Sequence, residues 1–116
     1  MKFAIILLRI GVFGTFLGHG ILALLVNPHW IKYLEFWGFS ENQAETLMPI
    51  IGIVDILVAL TVLIRPIRYI LLYAAIWGLL TALMRPLVGE SWLQFVERAA
   101  NWAAPAGLYA LLYLKK

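Results

Sequence analysis

Residues 81–105 read TALMRPLVGESWLQFVERAANWAAP, and the way this stretch is divided decides the fold of the chain. It separates two strongly apolar segments and carries a dense set of charged and amide side chains: Arg85, Glu90, Glu97, Arg98 and Asn101. The purely apolar run that follows, 102–114, is too short to cross a hydrocarbon core of ~30 Å, which takes about 20 helical residues. We therefore predict a helix over 92–114 that carries Glu97, Arg98 and Asn101 in its outer turns.

Composition places the chain in a membrane. Of its 116 residues, 64% are hydrophobic and only 13% are charged, and the mean hydropathy is +0.93. A soluble domain is about half apolar and about a quarter charged, so we expect the lipid bilayer to cover the excess apolar surface. The chain has no cysteine, which excludes disulfides, thiolate metal sites and thiol redox chemistry within it.

Three further spans precede the 92–114 helix. Apolar runs predict helices over 3–26, 41–64 and 68–87. Ser40 and Gln43 form a capping-box pattern at the start of the second of these. Arg9 interrupts the apolar core of the first, so we interpret it as a retained helix and not as a cleaved signal peptide. The predicted fold is an all-α, single-domain, antiparallel four-helix transmembrane bundle over 1–116.

A short aromatic segment joins the first two spans. Residues 29–38 are too few to cross the bilayer, and they include Trp30, Tyr33, Phe36 and Trp37. Aromatic side chains of this kind favour the headgroup region, so we predict an interfacial segment or lid.

The basic residues predict an orientation. If four helices alternate in direction, the residues Lys2, Arg65, Arg68, Lys115 and Lys116 share one side. By the positive-inside rule both termini face the cytoplasm, and we expect a multi-pass protein of a bacterial inner membrane. Cations at segment ends are typical of membrane proteins, and we predict no nucleic-acid partner for the net charge of +3.

Helical rise places several polar residues at one depth. His19, Arg85 and Arg98 each lie about 25 Å from the inner ends of their helices. Trp77, Thr81 and Arg85 follow one another at i, i+4 spacing. We predict a ligand-binding cluster at the outer face, formed by His19, Trp77, Thr81, Arg85, Glu97, Arg98 and Asn101.

Pro105 adds one detail to this cluster. It has no N–H, so the carbonyl of Asn101 loses its helical partner and becomes free for a ligand or water. Arg85 and Arg98 have an alternative interpretation, in which they only pair with Glu90 and Glu97 at the headgroups. Two histidines, His19 and His29, are too few for a metal site, and we predict none.

Two ionisable residues lie deeper in the apolar segments. Asp55 is about 15 Å and Arg9 about 10 Å from the inner side. A buried carboxylate needs a partner or a proton, so we predict a buried Arg9–Asp55 ion pair. The alternative is that Asp55 carries a proton or binds a ligand.

The segments 9–23, RIGVFGTFLGHGILA, and 52–59, GIVDILVA, together resemble the first two helices of the DoxX-like membrane proteins. The resemblance covers most of the chain and agrees with the four-segment layout, although the ERAANW segment at 97–102 is not part of it. It implies a small membrane protein, in some relatives linked to quinone-dependent redox systems. It assigns no catalytic residue.

Three functions follow as hypotheses. The first is binding of a small apolar or quinone-like ligand, such as a quinone or a lipid, at the polar cluster. The second is an accessory subunit of a larger membrane redox complex or a homo-oligomer, because Gly11, Gly14 and Gly18 share one helix face that allows close approach. The third is a membrane isomerase that uses Asp55 or Glu97 as a proton carrier.

Overall fold

The computed structural model describes residues 2–114, and Lys115 and Lys116, which we predicted at the basic side, lie outside this range. The described chain is helical, with no strand between residues 2 and 114. A single turn of 3-10 helix, Pro28–Trp30, follows the first α-helix. The α-helices are α1 Lys2–Leu24, α2 Ile31–Phe36, α3 Glu41–Ile64, α4 Arg68–Leu87, α5 Trp92–Val96 and α6 Ala99–Tyr113.

Three of these helices are long and apolar enough to cross a membrane: α1, α3 and α4. α1 ends at Leu24, and Asn27 caps the 3-10 turn that follows, since its side chain accepts a hydrogen bond from the backbone N–H of His29. The predicted capping box is confirmed. Gln43 N–H donates to Ser40 Oγ at 3.1 Å, and Ser40 N–H donates to Gln43 Oε1 at 2.9 Å.

The predicted helix over 92–114 is not continuous, and this corrects the sequence interpretation. It breaks at Glu97 and Arg98 into α5 and α6, and Arg98 leaves the helical conformation with φ −100° and ψ 15°. An α6 of 15 residues is about 22 Å long, shorter than the hydrocarbon core. An unbroken helix would place both charges in its apolar part, whereas the break lets α5 turn aside with Trp92 and Leu93 exposed.

The helices pack as two close pairs, α1 with α3 and α4 with α6. Glycines allow the close approach in both pairs. A Cβ on Gly52 would lie 2.6 Å from the carbonyl oxygen of Gly20 and 2.9 Å from the amide nitrogen of Leu24. A Cβ on Gly78 would lie 2.8 Å from the carbonyl carbon of Asn101. Any larger side chain at these positions would collide with backbone.

The apolar core fills one half of the bundle. We call the end that holds the 65–67 turn the basic end, because Arg65 and Arg68 lie there, and the opposite end the lid end. The core lies toward the basic end, where α1 and α6 bridge the two pairs, and consists of Val12, Phe16, Val58, Ala59, Val62, Leu71, Ala74 and Leu108. Tyr113 Oη closes this end by donating to the carbonyl of Pro66.

The predicted Arg9–Asp55 ion pair does not form. The guanidinium of Arg9 instead donates to the carbonyls at the end of α3, those of Val62, Leu63 and Ile64. The last carbonyls of a helix have no intrahelical partner, and a cation is favoured beside them by the helix dipole. Arg9 therefore closes the end of α3 at residues 62–64, about two turns or more beyond Asp55.

Within the described chain, the glycine face of α1 makes no close contact with another helix. Gly11, Gly14 and Gly18 are exposed, and a Cβ on any of them would meet no atom within 4 Å. The contact with α3 uses Gly20, which lies on a different side of the helix. The exposed glycine face is open to lipid or to another protein.

We expect Gly52→Ala to destabilise the protein and Gly14→Ala to leave it unchanged. The new methyl group at position 52 meets backbone atoms that cannot move aside, and overpacking of this kind costs about 1–3 kcal/mol. Thermal unfolding in detergent, followed by tryptophan fluorescence, compares the two variants. Equal melting temperatures for Gly52→Ala and wild type would contradict the close α1–α3 contact.

Candidate functional site

A cavity of about 460 Å³ occupies the lid half of the bundle. It lies directly above the apolar core, between α1, α3 and α4, and is covered from the lid end by the segment that joins α1 to α3. Its volume falls in the range of about 300–1,000 Å³ that is typical of small-molecule sites. Most of its wall is apolar or aromatic.

Five of the seven residues predicted as a cluster line this cavity: His19, Trp77, Thr81, Arg85 and Asn101. Glu97 and Arg98 do not line it. They pair with each other at 3.0 Å, and Arg98 also donates to the carbonyl of Gln94. The side chain of Glu97 is 67% exposed. The break between α5 and α6 removes these two charges from the face that Asn101 presents to the cavity.

The segment 28–37 forms the lid. Its residues Trp30, Tyr33, Leu34 and Trp37 line the cavity. The ring of Trp30 stands edge-on to the imidazole of His19, with the centroids 5.7 Å apart. The sequence predicted an interfacial segment or lid here, and these side chains cover the cavity.

Three contacts hold the lid to the end of α4. Tyr33 Oη donates to the carboxylate of Glu90, at 3.0 and 3.2 Å from its two oxygens. Lys32 forms an ion pair with the same carboxylate. Trp37 Nε1 donates to the sulfur of Met84 at 3.1 Å. Glu90 lies in the loop after α4, so it fixes the lid to the helix that carries Arg85.

Arg85 is a buried cation without an acidic partner among residues 2–114. It is 5% exposed. Its Nη1 donates to the carbonyl of Thr81 at 2.8 Å, and its Cζ lies 4.7 Å from the ring centroid of Tyr33. Its Nε is buried and has no hydrogen-bond partner in the described chain. The alternative pairing of Arg85 with Glu90 does not form, because Lys32 and Tyr33 occupy that carboxylate.

Asp55 lies at the floor of the same cavity. It is 4% exposed, and its Oδ1 has no hydrogen-bond partner within residues 2–114. The indole N–H of Trp77 is directed at the carboxylate of Asp55 as a hydrogen-bond donor, and the Trp77 ring stacks on Tyr73, with centroids 6.2 Å apart and planes 7° apart. Asp55 therefore belongs to the cavity that the sequence analysis assigned to other residues.

Asn101 of α6 lines the cavity at the point where the backbone of α6 contacts the backbone of α4. The carbonyl that Pro105 was predicted to free lies against the backbone of Gly78. It is directed at α4 and not into open space. The side chain of Asn101 is the part of this residue that a ligand can reach.

We infer that the cavity reaches the protein surface between α3 and α4. These two helices are joined at the basic end but have little contact along their length. Leu80 of α4 lines the cavity and is also 46% exposed. It lies 12 residues from the start of α4 at Arg68, about 18 Å along the helix, which is at the depth of lipid chains. We call this opening the side mouth.

Comparison with protein-family models, with curated proteins and with solved structures gives no match. The function has to be inferred from the cavity itself. Its arrangement has the properties of a binding site, namely an apolar pocket with a small number of polar groups at defined positions.

The lid contact depends on pH in a defined direction. The hydrogen bond and ion pair with Lys32 lower the pKa of Glu90, and the same contact raises the pKa of Lys32. The stabilisation of the closed lid by ionised Glu90 is complete above the ordinary pKa of about 4.3. It is lost as the pH falls through the lowered pKa of Glu90. The stabilisation of the closed lid by protonated Lys32 is complete below the ordinary pKa of about 10.4. It is lost as the pH rises through the raised pKa of Lys32.

We expect Glu90→Gln to loosen the lid at neutral pH. The amide can still accept a hydrogen bond from Tyr33, but it cannot form the ion pair with Lys32. Trypsin cleavage after Lys32 at neutral pH should become faster, and the change in tryptophan fluorescence that acid causes in the wild type should be absent in the variant. Glu97→Gln is the matched control, because Glu97 pairs only with its neighbour outside the cavity. Equal cleavage rates in all three proteins would show that Glu90 does not hold the lid.

Proposed function

We propose that the chain is a small DoxX-like membrane protein that binds an apolar ligand with a polar head, such as a quinone or a single-chain lipid, in the cavity under the lid. In this proposal α5 and α6 together act as the fourth helix of an antiparallel transmembrane bundle. Arg65 and Arg68 at the basic end support an orientation with both termini in the cytoplasm of a bacterium and the lid at the outer face of its inner membrane.

The burial of Arg85 with an unpartnered Nε is the observation that carries the proposal. A buried cation that forms no ion pair is costly, and the Tyr33 ring, a backbone carbonyl and the nearby charge of Glu90 compensate only part of this cost. An acceptor group on a ligand would occupy the unpartnered Nε and the guanidinium face. Hydrogen bonds to a charged group contribute about 1.5–3 kcal/mol each. His19, Thr81 and Asn101 offer further hydrogen-bonding groups to the same head.

The side mouth supports a ligand that comes from the bilayer. Its rim residue Leu80 is at the depth of lipid chains, while the lid closes the aqueous end through Glu90. A molecule dissolved in the outer leaflet can enter between α3 and α4 without leaving lipid. The aromatic wall of Trp30, Tyr33, Trp37 and Trp77 suits a flat ring or an apolar chain.

One observation favours a second function, that of an accessory subunit or a homo-oligomer. The exposed glycine face of Gly11, Gly14 and Gly18 allows a helix of another chain to approach closely. Replacement of Gly14 with leucine would block such an approach. If the wild type co-purifies with a partner or forms a dimer in mild detergent and the Gly14→Leu variant does not, this function is supported. If the wild type and the variant are both monomers, this function is contradicted.

Ligand binding is tested in lipid nanodiscs. Ligands that co-purify with the wild type are identified by mass spectrometry, and a short-chain ubiquinone and decanoate are titrated while tryptophan fluorescence is recorded. We expect saturable binding to the wild type and about 10- to 100-fold weaker binding to Arg85→Gln, because a charge-assisted hydrogen bond is lost. His19→Ala and Asn101→Ala should weaken binding by smaller factors.

Arg98→Gln provides the matched control, since Arg98 is the same residue type at the N-cap of α6 and does not line the cavity. It should bind as the wild type does. If Arg85→Gln does not fold, Arg85→Lys, which retains the positive charge, replaces it in the binding measurement. Absence of any co-purified ligand, together with unsaturable responses to both probes, would overturn the proposal.

A further inference from the structure

We propose that Asp55 is a second anchor for the ligand, at the opposite end of the cavity from Arg85, so that the ligand carries a hydrogen-bonding group at both ends. This inference rests on the proposed function, since it concerns the same cavity. It identifies the ligand class as a two-ended one: an acceptor head for Arg85, an apolar middle, and a hydroxyl or carbonyl group for Asp55.

The first argument is that Asp55 forms no ion pair within residues 2–114 and that one of its two carboxylate oxygens has no hydrogen-bond partner there, although Trp77 interacts with the carboxylate from α4. The cation that sequence depth paired with it, Arg9, donates to three carbonyls at the end of α3. Its Oδ1 is buried without a hydrogen bond in the described part of the chain. A buried polar group of this kind lowers stability. Because Asp55 lines the cavity, a role in ligand binding explains its presence, whereas a contribution to the stability of the fold does not.

The second argument is the spacing of the two anchors. Trp77 faces Asp55 and lies eight residues before Arg85 in α4, which corresponds to about 12 Å of helix. The Arg85 side chain folds back to the carbonyl of Thr81, which shortens the gap to as little as about 6 Å. A ligand that reaches both groups therefore has its polar ends about 6–12 Å apart.

The third argument is the chemistry of the surface between the anchors. It is formed by apolar and aromatic side chains, with Phe16, Met48 and Ile51 among them. The side mouth at Leu80 opens between the two levels, so an apolar chain attached to the middle of the ligand can extend into lipid. A carboxyl group accepts a hydrogen bond from a hydroxyl when ionised and can also donate one when protonated. A hydroxyl group on the ligand therefore suits Asp55 in either state.

The test compares decanoate with ω-hydroxydecanoate, which differ only by a hydroxyl group at the far end. Both are titrated into wild-type protein in nanodiscs, with tryptophan fluorescence as the signal. We expect the wild type to prefer the hydroxy acid by about 3- to 10-fold, the effect of one net hydrogen bond, after correction for partition into lipid. Asp55→Leu should lose this preference, and Asp55→Asn should retain part of it.

Thermal unfolding supplies an independent readout. Without ligand, Asp55→Leu should melt at a higher temperature than the wild type, because a buried carboxyl group with an unpartnered oxygen is replaced with an apolar side chain of similar size. Thr61→Val is the matched control, since it makes a polar-to-apolar change on the same helix outside the cavity. It should leave the ligand preference unchanged.

The outcomes separate this inference from the proposed function. If the wild type binds neither acid nor the short-chain ubiquinone, the proposed function fails. If the wild type binds them but shows no preference for the hydroxy acid, or if Asp55→Leu keeps the preference, only the second anchor is wrong. A lower melting temperature for Asp55→Leu without ligand would show that Asp55 supports the fold, and this also overturns the inference.

Discussion

Direct backbone contact between α4 and α6 at Gly78 is the constraint on which the lid half depends. The absence of a side chain at Gly78 lets the carbonyl of Asn101 lie against α4. This contact brings Asn101 beside the helix that carries Trp77, Thr81 and Arg85. The equivalent contact of Gly20 with Gly52 brings His19 beside the helix that carries Asp55. Two close pairs leave a space where the pairs meet less closely, and this space is the cavity.

The lid and the buried charge are parts of one arrangement. Glu90 is occupied by Lys32 and Tyr33 and so cannot neutralise Arg85, which lies one turn away along the chain. Tyr33 lies between the two, with its hydroxyl on Glu90 and its ring face on Arg85. Burial raises the pKa of Tyr33, so its hydroxyl remains a donor to Glu90 across the physiological range. The same contact that closes the cavity leaves the cation inside it available to a ligand.

Local signals in the sequence were sufficient for some of this structure. Composition identifies a membrane protein, and the capping box at Ser40 and the Arg65-Pro66 turn mark the ends of α3. Helical rise predicts one level for these polar residues, and His19, Arg85 and Asn101 line one cavity, but helical rise does not give the direction in which a side chain points. For that reason Glu97 and Arg98 were grouped with the cavity residues. The break before α6 and the choice of Gly20 over Gly18 for packing depend on contacts between distant segments, which no local pattern contains.

Arg9 and the end of α3 have a consequence for biosynthesis. The charge near the start of α1 enters the membrane long before its partners, the carbonyls of residues 62–64, have been synthesised. Until then Arg9 can only extend toward the lipid headgroups, and the end of α3 is likewise incomplete when it first arrives. α1 supplies the guanidinium donors of Arg9, and α3 supplies the unpaired carbonyls that accept from them. Pairing of α1 with α3 therefore lowers the free energy of both helices. Insertion of the second spanning helix is thus also the step that anchors the first.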